Sequence, residues 1–474
     1  MTSSNIPPDP QNWDDFRAAA HALLDACVDR LAQPAEHPWQ PVPEDIRAGY
    51  AITAPLGDEA ALATRLQAEV MPYATGNTHP RFFGWVHGSG LATGLMSEMV
   101  AAAMNSNCGG RDHGMVYMER AVIDWAKTVF GFPESGSGLL LAGTSQATVV
   151  ALAAARIRVL GPELRKAGQG ALRLTAYAGG GVHNATKKAI ELLGIGSDNL
   201  RLIADGPDGI DLAALRAAIT ADRAAGALPF AIVGTAGSVD LGRFDDLGGL
   251  ADIAAEERLW LHVDGAFGAW LRIAGVPLEA HVRGIERADS LACDFHKWMY
   301  VPYDCGMVLI RDEAEHRAAF AARPSYLEGQ DRGLAGGDPW YCDYGIDLSR
   351  GNRALKVWSA LTTYGPERLG AAIARNCAQA KAMGDLVEAE GVMALLAPVV
   401  TNLCVFSADA GRTPAAQSAL NRRIAQDLQL AGDAVFSTVD IGGITGLRAA
   451  ITNHRTSIGD IEAVIAAVAA ARDG

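Results

Sequence analysis

Apolar residues recur along this chain in two rhythms, one helical and one of short unbroken runs. Near the start, Asn12 precedes the acidic Asp14 and Asp15. Phe16, Ala20, Leu23, Leu24, Cys27 and Leu31 then follow at helical spacing, which predicts a capped helix with one apolar face. The proline-rich stretch 33–55 offers that face no neighbouring partner, so its cover comes either from elsewhere in the chain or from a second copy. Across residues 91–131 two helices are expected, with stripes facing the core at Met96, Met99 and Val100, then at Val116, Met118, Val122, Trp125 and Val129, around a polar stretch at 105–111. Strands are predicted at 139–142, 172–177, 230–233, 259–263 and 307–310, with an alanine-rich helix at 146–158, a second helix around Lys187 and Lys188, and a third opening after Arg243. Strand, loop and helix in alternation imply an α/β fold whose mainly parallel sheet gathers its chemistry at one edge. Residues 325–347 are glycine-rich with little periodicity, and a loop that long inside a compact domain is usually functional or disordered. Past residue 350, helices through Trp358 and at 371–389 and 416–430, strands at 402–406 and 447–451, and a closing helix from Ile458 predict a small α/β domain.

Chemistry is implied where polar residues interrupt these runs. Lys297 stands between His296, Trp298 and Met299. It reads either as a side chain snorkelling from a strand end or as an amine deprived of solvation and usable as a nucleophile. Asp264 arrives at the carboxyl end of an apolar strand, where parallel sheets bind ligands, and an N-cap role is equally open. The pair says more than either member, because pyridoxal phosphate needs a lysine amine and an acid that keeps its ring nitrogen protonated. Gly143, Thr144 and Ser145 form a turn at a helix start, which either caps that helix or binds an anion. His183, after three glycines, is a structural histidine or a site residue. The loop 79–90, with Phe82, Phe83, Trp85 and His87, either folds onto the core or walls a pocket.

His-Val-Asp-Gly-Ala-Phe at 262–267 resembles the His-Val-Asp-Ala-Ala-Tyr of the pyridoxal-phosphate-dependent group II amino acid decarboxylases, and Asp-Phe-His-Lys-Trp at 294–298 resembles their Asp/Asn-Pro-His-Lys-Trp. The two motifs come in the family's order and at a similar separation, and the resemblance spans residues 70–460. It implies a fold type I transferase architecture, like aspartate aminotransferase, divided into an N-terminal helical dimerisation segment (1–78), a large cofactor-binding domain (79–350) and a small C-terminal domain (351–474). It assigns pyridoxal 5'-phosphate to Lys297, with Asp264 at the ring nitrogen, His183 on the ring face, Thr144, Ser145 and His296 at the phosphate end, and Thr235 and Ala266 beside them. Tyr341, aligned backward from residues 348–358, takes the place of the family's loop proton donor. Trp85, His87 and Arg448 fall at the substrate end, although a solvated strand charge is an open reading of Arg448. Where relatives specific for aromatic amino acids carry Pro-Thr, this chain has His87 and Gly88.

Composition narrows the classes further. The 474 residues carry 40 basic and 54 acidic side chains, a net charge of −14, which argues against nucleic-acid and anionic-membrane surfaces. Seven scattered cysteines show no metal or redox spacing, and no signal-like start or membrane-length apolar run is present, which together predict a cytoplasmic protein without a metal. The expected activity is decarboxylation of an L-amino acid, aromatic by preference, in a homodimer whose active site lies at the subunit interface. An aldehyde-forming oxidative deaminase, a decarboxylase of an acidic amino acid and a cofactor-binding protein without turnover are the competing readings.

Overall fold

The computed structural model describes residues 9–53, 56–206, 209–322 and 329–474; residues 1–8, 54–55 and the 325–328 part of the expected long loop lie outside them. The first helix, α1 (Trp13–Ala32), is capped by Asn12 as the sequence predicts, and it buries none of its residues. Trp13, Phe16 and Val28 stand 59%, 38% and 48% exposed, whereas Leu23, Leu24, Cys27 and Leu31 are half-buried and the helix packs on the short helix Glu59–Arg65, so its apolar face is covered only in part among the described residues. Past two short helices, the longer α2 (Ala92–Met104) and α3 (Gly114–Phe130) precede the sheet, and the left-handed Gly131 ends α3.

Seven strands build the central sheet: β1 (Ser137–Leu141), β2 (Leu174–Gly179), β3 (Leu200–Ile203), β4 (Leu228–Thr235), β5 (Trp260–Asp264), β6 (Ser290–Asp294) and β7 (Gly306–Ile310). Their order is β1-β7-β6-β5-β4-β2-β3, and four of the six pairings are parallel, with β7 running against both its neighbours. β1, β5, β6 and β7 are buried along their whole length, which is why they read as continuous apolar runs rather than alternating ones. Register aligns Thr235 with Asp264, Asp264 with Ala292, and Asp294 with Gly306, while Leu141 also faces Gly306. The carboxyl ends of β1, β4, β5 and β6 therefore meet at one edge. Helices α4 (Thr144–Leu160), α5 (Asn184–Leu192), α6 (Leu212–Ala224) and α7 (Leu247–Glu257) link or cover these strands.

The long helix α8 (Ala354–Ala389) carries the chain to the small sheet. Two helices were expected here; they are joined end to end at a bend where Gly365 takes φ 71° and ψ 159° ahead of Pro366. The small sheet orders β8 (Ala394–Leu395), β9 (Leu403–Ser407), β11 (Ile444–Ala450) and β10 (Ser437–Ile441), all antiparallel, with α9 (Pro414–Ala431) and α10 (Ile458–Asp473) packed on it. Phe83 belongs to this second core. Its N–H donates to the Val435 carbonyl at 2.8 Å and its own carbonyl accepts from Ala450 at 2.9 Å. The loop 79–90 is thereby woven into the small sheet while its tip reaches the edge of the large one.

Candidate active site

At that edge a cavity of 550 Å³ is lined by Trp85, Val86, His87, Ala142 to Gln146, His183, Val239, Asp264, Ala266, Asp294, His296, Lys297 and Tyr303. It unites nine of the residues singled out from sequence: Trp85, His87, Thr144, Ser145, His183, Asp264, Ala266, His296 and Lys297.

Lys297 follows β6 in a turn whose other members, Trp298 and Met299, are fully buried. These bulky neighbours face the core, so the amine meets something else. Its Nζ lies 3.0 Å from Asp294 Oδ2, and the side chain keeps 22% exposure into the cavity. Asp294 is itself fixed, since its Oδ1 accepts the Thr144 N–H at 2.7 Å. His296 accepts the Cys305 N–H at Nδ1 (3.1 Å), which leaves Nε2 facing Asp294 at 3.7 Å, and its ring lies against Tyr303 with centroids 4.3 Å apart. Burial pushes the His296 ring below the ordinary histidine value, with Asp294 opposing.

Across the cavity, Asp264 ends β5 and is 4% exposed. Burial pushes its carboxyl above the ordinary carboxylate value, against the pull of Lys297 and His183, and Oδ1 accepts the Ala266 N–H at 3.2 Å. A buried carboxylate in this setting is stabilised by any further cation brought to it. His183 caps α5, its Nδ1 accepting the Ala185 N–H at 3.2 Å, and so its ring plane is set by the helix. At the other end, α4 opens on Thr144, whose Oγ1 is buried without a hydrogen-bond partner. A buried hydroxyl left orphaned at the N-terminus of a 17-residue helix is a mark of an anion site. Pyridoxal phosphate fits these three features: an amine for its aldehyde, a buried acid for its ring N–H, and a hydroxyl with a helix N-terminus for its phosphate.

Three expected site residues stand elsewhere. Thr235 lies in register beside Asp264 but is held by Asp245, which accepts its N–H at 2.7 Å, and it lines a separate 30 Å³ pocket. Its place is to support β5 from the adjoining strand. Arg448 is 3% exposed, neither a solvated charge nor part of the cavity wall. Its guanidinium donates to the carbonyls of Trp85 (3.2 Å), Asp240 (3.2 Å) and Val239 and to Ser437 Oγ (3.0 Å), so it braces the wall from behind. Burial brings its pKa down to about 10, against the pull of Asp240. Tyr341 is 5% exposed and lines a different cavity, of 200 Å³, with Arg120, Lys127 and Glu313. Its ring lies under Arg350, 5.2 Å from the guanidinium, which is anchored by the equally buried Glu119 at 2.7 Å. Burial lifts the Tyr341 hydroxyl well above the ordinary tyrosine value. The chain does not bring Tyr341 to Lys297, because the fully buried Trp340 and the Glu119–Arg350 pair fix this segment in the core.

Asp294 and Tyr303 were not anticipated. Asp294 carries the same sequence signal as Asp264, an acid at the end of an apolar run; Tyr303 arrives only because the chain doubles back between β6 and β7.

A parallel-sheet edge bearing a lysine, a buried acid and an anion-binding helix start defines a pyridoxal-phosphate-dependent enzyme. Residues 43–409 match the pyridoxal-dependent decarboxylase conserved domain, and the chain belongs to that family. An aromatic-L-amino-acid decarboxylase of Bacillus atrophaeus is 29% identical over 84% of this chain and 82% of its own length. An L-2,4-diaminobutyrate decarboxylase of Rhizobium meliloti (strain 1021) is 28% identical over 87% and 81%. The crystal structure of Oryza sativa TDC with PLP and tryptamine superposes with a TM-score of 0.88 at 26% identity, covering 98% of this chain and 99% of that one. The protein is a pyridoxal-phosphate-dependent amino acid decarboxylase.

Proposed function

We propose that the substrate is an L-amino acid with an aromatic side chain, converted to its amine and carbon dioxide in the cavity around Lys297. The reading is supported by the aromatic wall opposite the lysine, where His87 stacks on Trp85 and on Phe82 (centroids 5.7 and 5.8 Å) and meets the edge of Tyr303 at 5.9 Å. Flat apolar side chains pack well against such faces. The Bacillus relative, an aromatic-L-amino-acid decarboxylase, points the same way.

When bound, pyridoxal phosphate supplies the aldehyde that the lysine amine carries and the heterocycle that takes up the electron pair left by carbon dioxide. The protein's own groups divide the remaining work. Asp294 accepts a hydrogen bond from Lys297 Nζ and orients the amine. Asp264 holds a proton at the ring nitrogen, and Thr144 and Ser145 bind the phosphate with His296 beside them. His183, fixed through Nδ1, would cover the ring face, with its Nε2 left to hydrogen-bond a water beside the substrate's α carbon. Arg448 holds Trp85 and Val239 in place.

The chain works, in this reading, as a homodimer: α1 leaves Trp13, Phe16 and Val28 exposed, and Met96, Met99, Val100 and Met104 of α2 stand 70%, 49%, 48% and 58% exposed. All seven cysteines are free thiols, in keeping with a reducing, cytoplasmic setting. Among the described residues no helix is long and apolar enough to cross a membrane.

Carbon dioxide and hydrogen peroxide measured over the common amino acids test the activity. Carbon dioxide without peroxide, fastest with aromatic substrates, is expected. Peroxide formed in step with carbon dioxide would mean aldehyde formation instead, and preference for an acidic or basic substrate would overturn the aromatic assignment. Sedimentation at twice the chain mass checks the dimer.

A further inference from the structure

The residues just after Lys297 and the wall that faces it are joined through a buried amide side chain outside the cavity. Asn376, on α8, is 1% exposed. Its Oδ1 accepts from Trp298 Nε1 at 3.2 Å and from the Tyr300 hydroxyl at 2.8 Å, while its Nδ2 donates to the Asn453 carbonyl and to Gln379 Oε1, both at 3.0 Å. The indole is a donor only, so Oδ1 must be the atom that faces it, and the amide's two acceptor and two donor positions are then all filled. Gln379 extends the network by donating to the Thr456 carbonyl.

Asn453 and Thr456 belong to a segment that grips the substrate-side loop along its length. Thr452 Oγ1 donates to the His87 carbonyl (2.7 Å), Asn453 Nδ2 to that of His79 (2.9 Å), Thr456 Oγ1 to that of Pro80 (2.7 Å), and Arg455 to those of Ser89 and Gly90 (3.1 Å each). Tyr300, buried just past the Lys297 turn, and Trp85, on the cavity wall, both hold left-handed backbone at φ 58° and 53°. Bulky residues stay in that region only where their surroundings over-determine them. Tyr300 is fixed by Asn376 and by its carbonyl's bond from the Leu91 N–H at 2.8 Å.

We infer that Asn376 is a positioning residue that sets Lys297 in register with the Trp85–His87 wall by tying both to one amide. The two walls belong to different sheets, so without this tie their relative placement rests on loop contacts alone, and misplacement of about 1 Å is enough to slow a reaction about a hundredfold. The kinetic consequence rests on the proposed decarboxylation; the mechanical one does not.

Amide hydrogen exchange on the cofactor-free protein tests the tie directly. In Asn376→Ala, exchange should rise about tenfold at both 296–301 and 77–91, while strand 137–141 stays protected. In Asn376→Asp, which keeps the acceptor but loses the donor, the rise should be confined to 77–91. A change in only one segment of the alanine variant, or a uniform rise across the chain, overturns the inference. Should the alanine variant fail to fold, unchanged exchange at 77–91 in the aspartate variant overturns it equally. With the cofactor bound, Asn376→Ala should retain the visible absorbance and lose at least about tenfold in kcat with little change in KM. Failure of the decarboxylation reading would show as no carbon dioxide from the unaltered protein and would leave the exchange result standing.

Discussion

Lys297, Asp264 and Thr144 make three separable contributions, and replacing each should fail differently. Lys297→Ala should abolish both the visible absorbance of the loaded protein and carbon dioxide release, because no other amine lines the cavity among the described residues. Asp264→Asn should bind cofactor yet lose about 10²–10³ in kcat, the usual cost of removing one pre-organised charge at the reacting group. Thr144→Val should turn over normally at saturation but need about tenfold more cofactor, since one hydrogen bond to a charged group is lost; titration of the absorbance reads this. The meeting of these three at one cavity was legible because each breaks an apolar pattern at a strand end or helix start. Tyr341, Thr235 and Arg448 stand off this chain's cavity for a shared reason. Linear alignment gives a residue's neighbours along the chain, but whether a side chain faces the cavity or its support depends on how far each strand runs and which carbonyls lie behind it. Arg448 shows this best: its position at the substrate end was anticipated, its occupation by backbone carbonyls was not.

At the level of elements, close approach does what no side chain could. Gly88 lies so near the Lys297 turn that a Cβ there would stand 2.3 Å from the His296 carbonyl oxygen and 2.4 Å from that of Lys297. Gly88→Ala should therefore push the loop off the turn, lowering the melting temperature and raising KM, with cofactor absorbance kept. The buried Glu119–Arg350 pair joins α3 to the chain before α8, and Arg350 also donates to the Cys108 carbonyl at 3.0 Å. Removing one member strands a buried charge, so Glu119→Leu should cost about 3–5 kcal/mol in urea unfolding, and Glu119→Leu with Arg350→Met much less. Helices with strong apolar stripes were found where the sequence put them, but the stripe at Met96, Met99 and Val100, expected in the core, stands exposed. Strand β3 and helix α6 were not, since β3 is a half-buried edge whose Leu202 stays exposed, and four residues of that kind leave little periodicity to see.

Across the whole molecule, buried histidines govern the response to acid. In the fold, burial lowers His79 to about 4 and His262, His316 and His454 to about 3, from 6.5. The unfolded chain takes up these protons below pH 6.5 while the folded one does not, so their contribution is complete above 6.5 and is lost as pH falls toward 3. Asp245 acts in the opposite sense: burial raises it to about 6, so it favours the fold below 3.8 and that gain fades as pH climbs to 6. The lowered histidines, His296 among them, outnumber the raised carboxyls Asp245 and Asp264, and the urea midpoint should be lower at pH 5 than at pH 7. The weaving of Phe82 and Phe83 into the small sheet bears on modularity. A recombinant fragment comprising only 351–474 would lack the strand partner that Val435 and Ala450 use, and a fragment ending at 350 would leave Phe83 with its greasy ring in water. Neither half is a free-standing cassette, so exchange of the C-terminal part between homologues should yield working chimeras only when residues 77–91 travel with it.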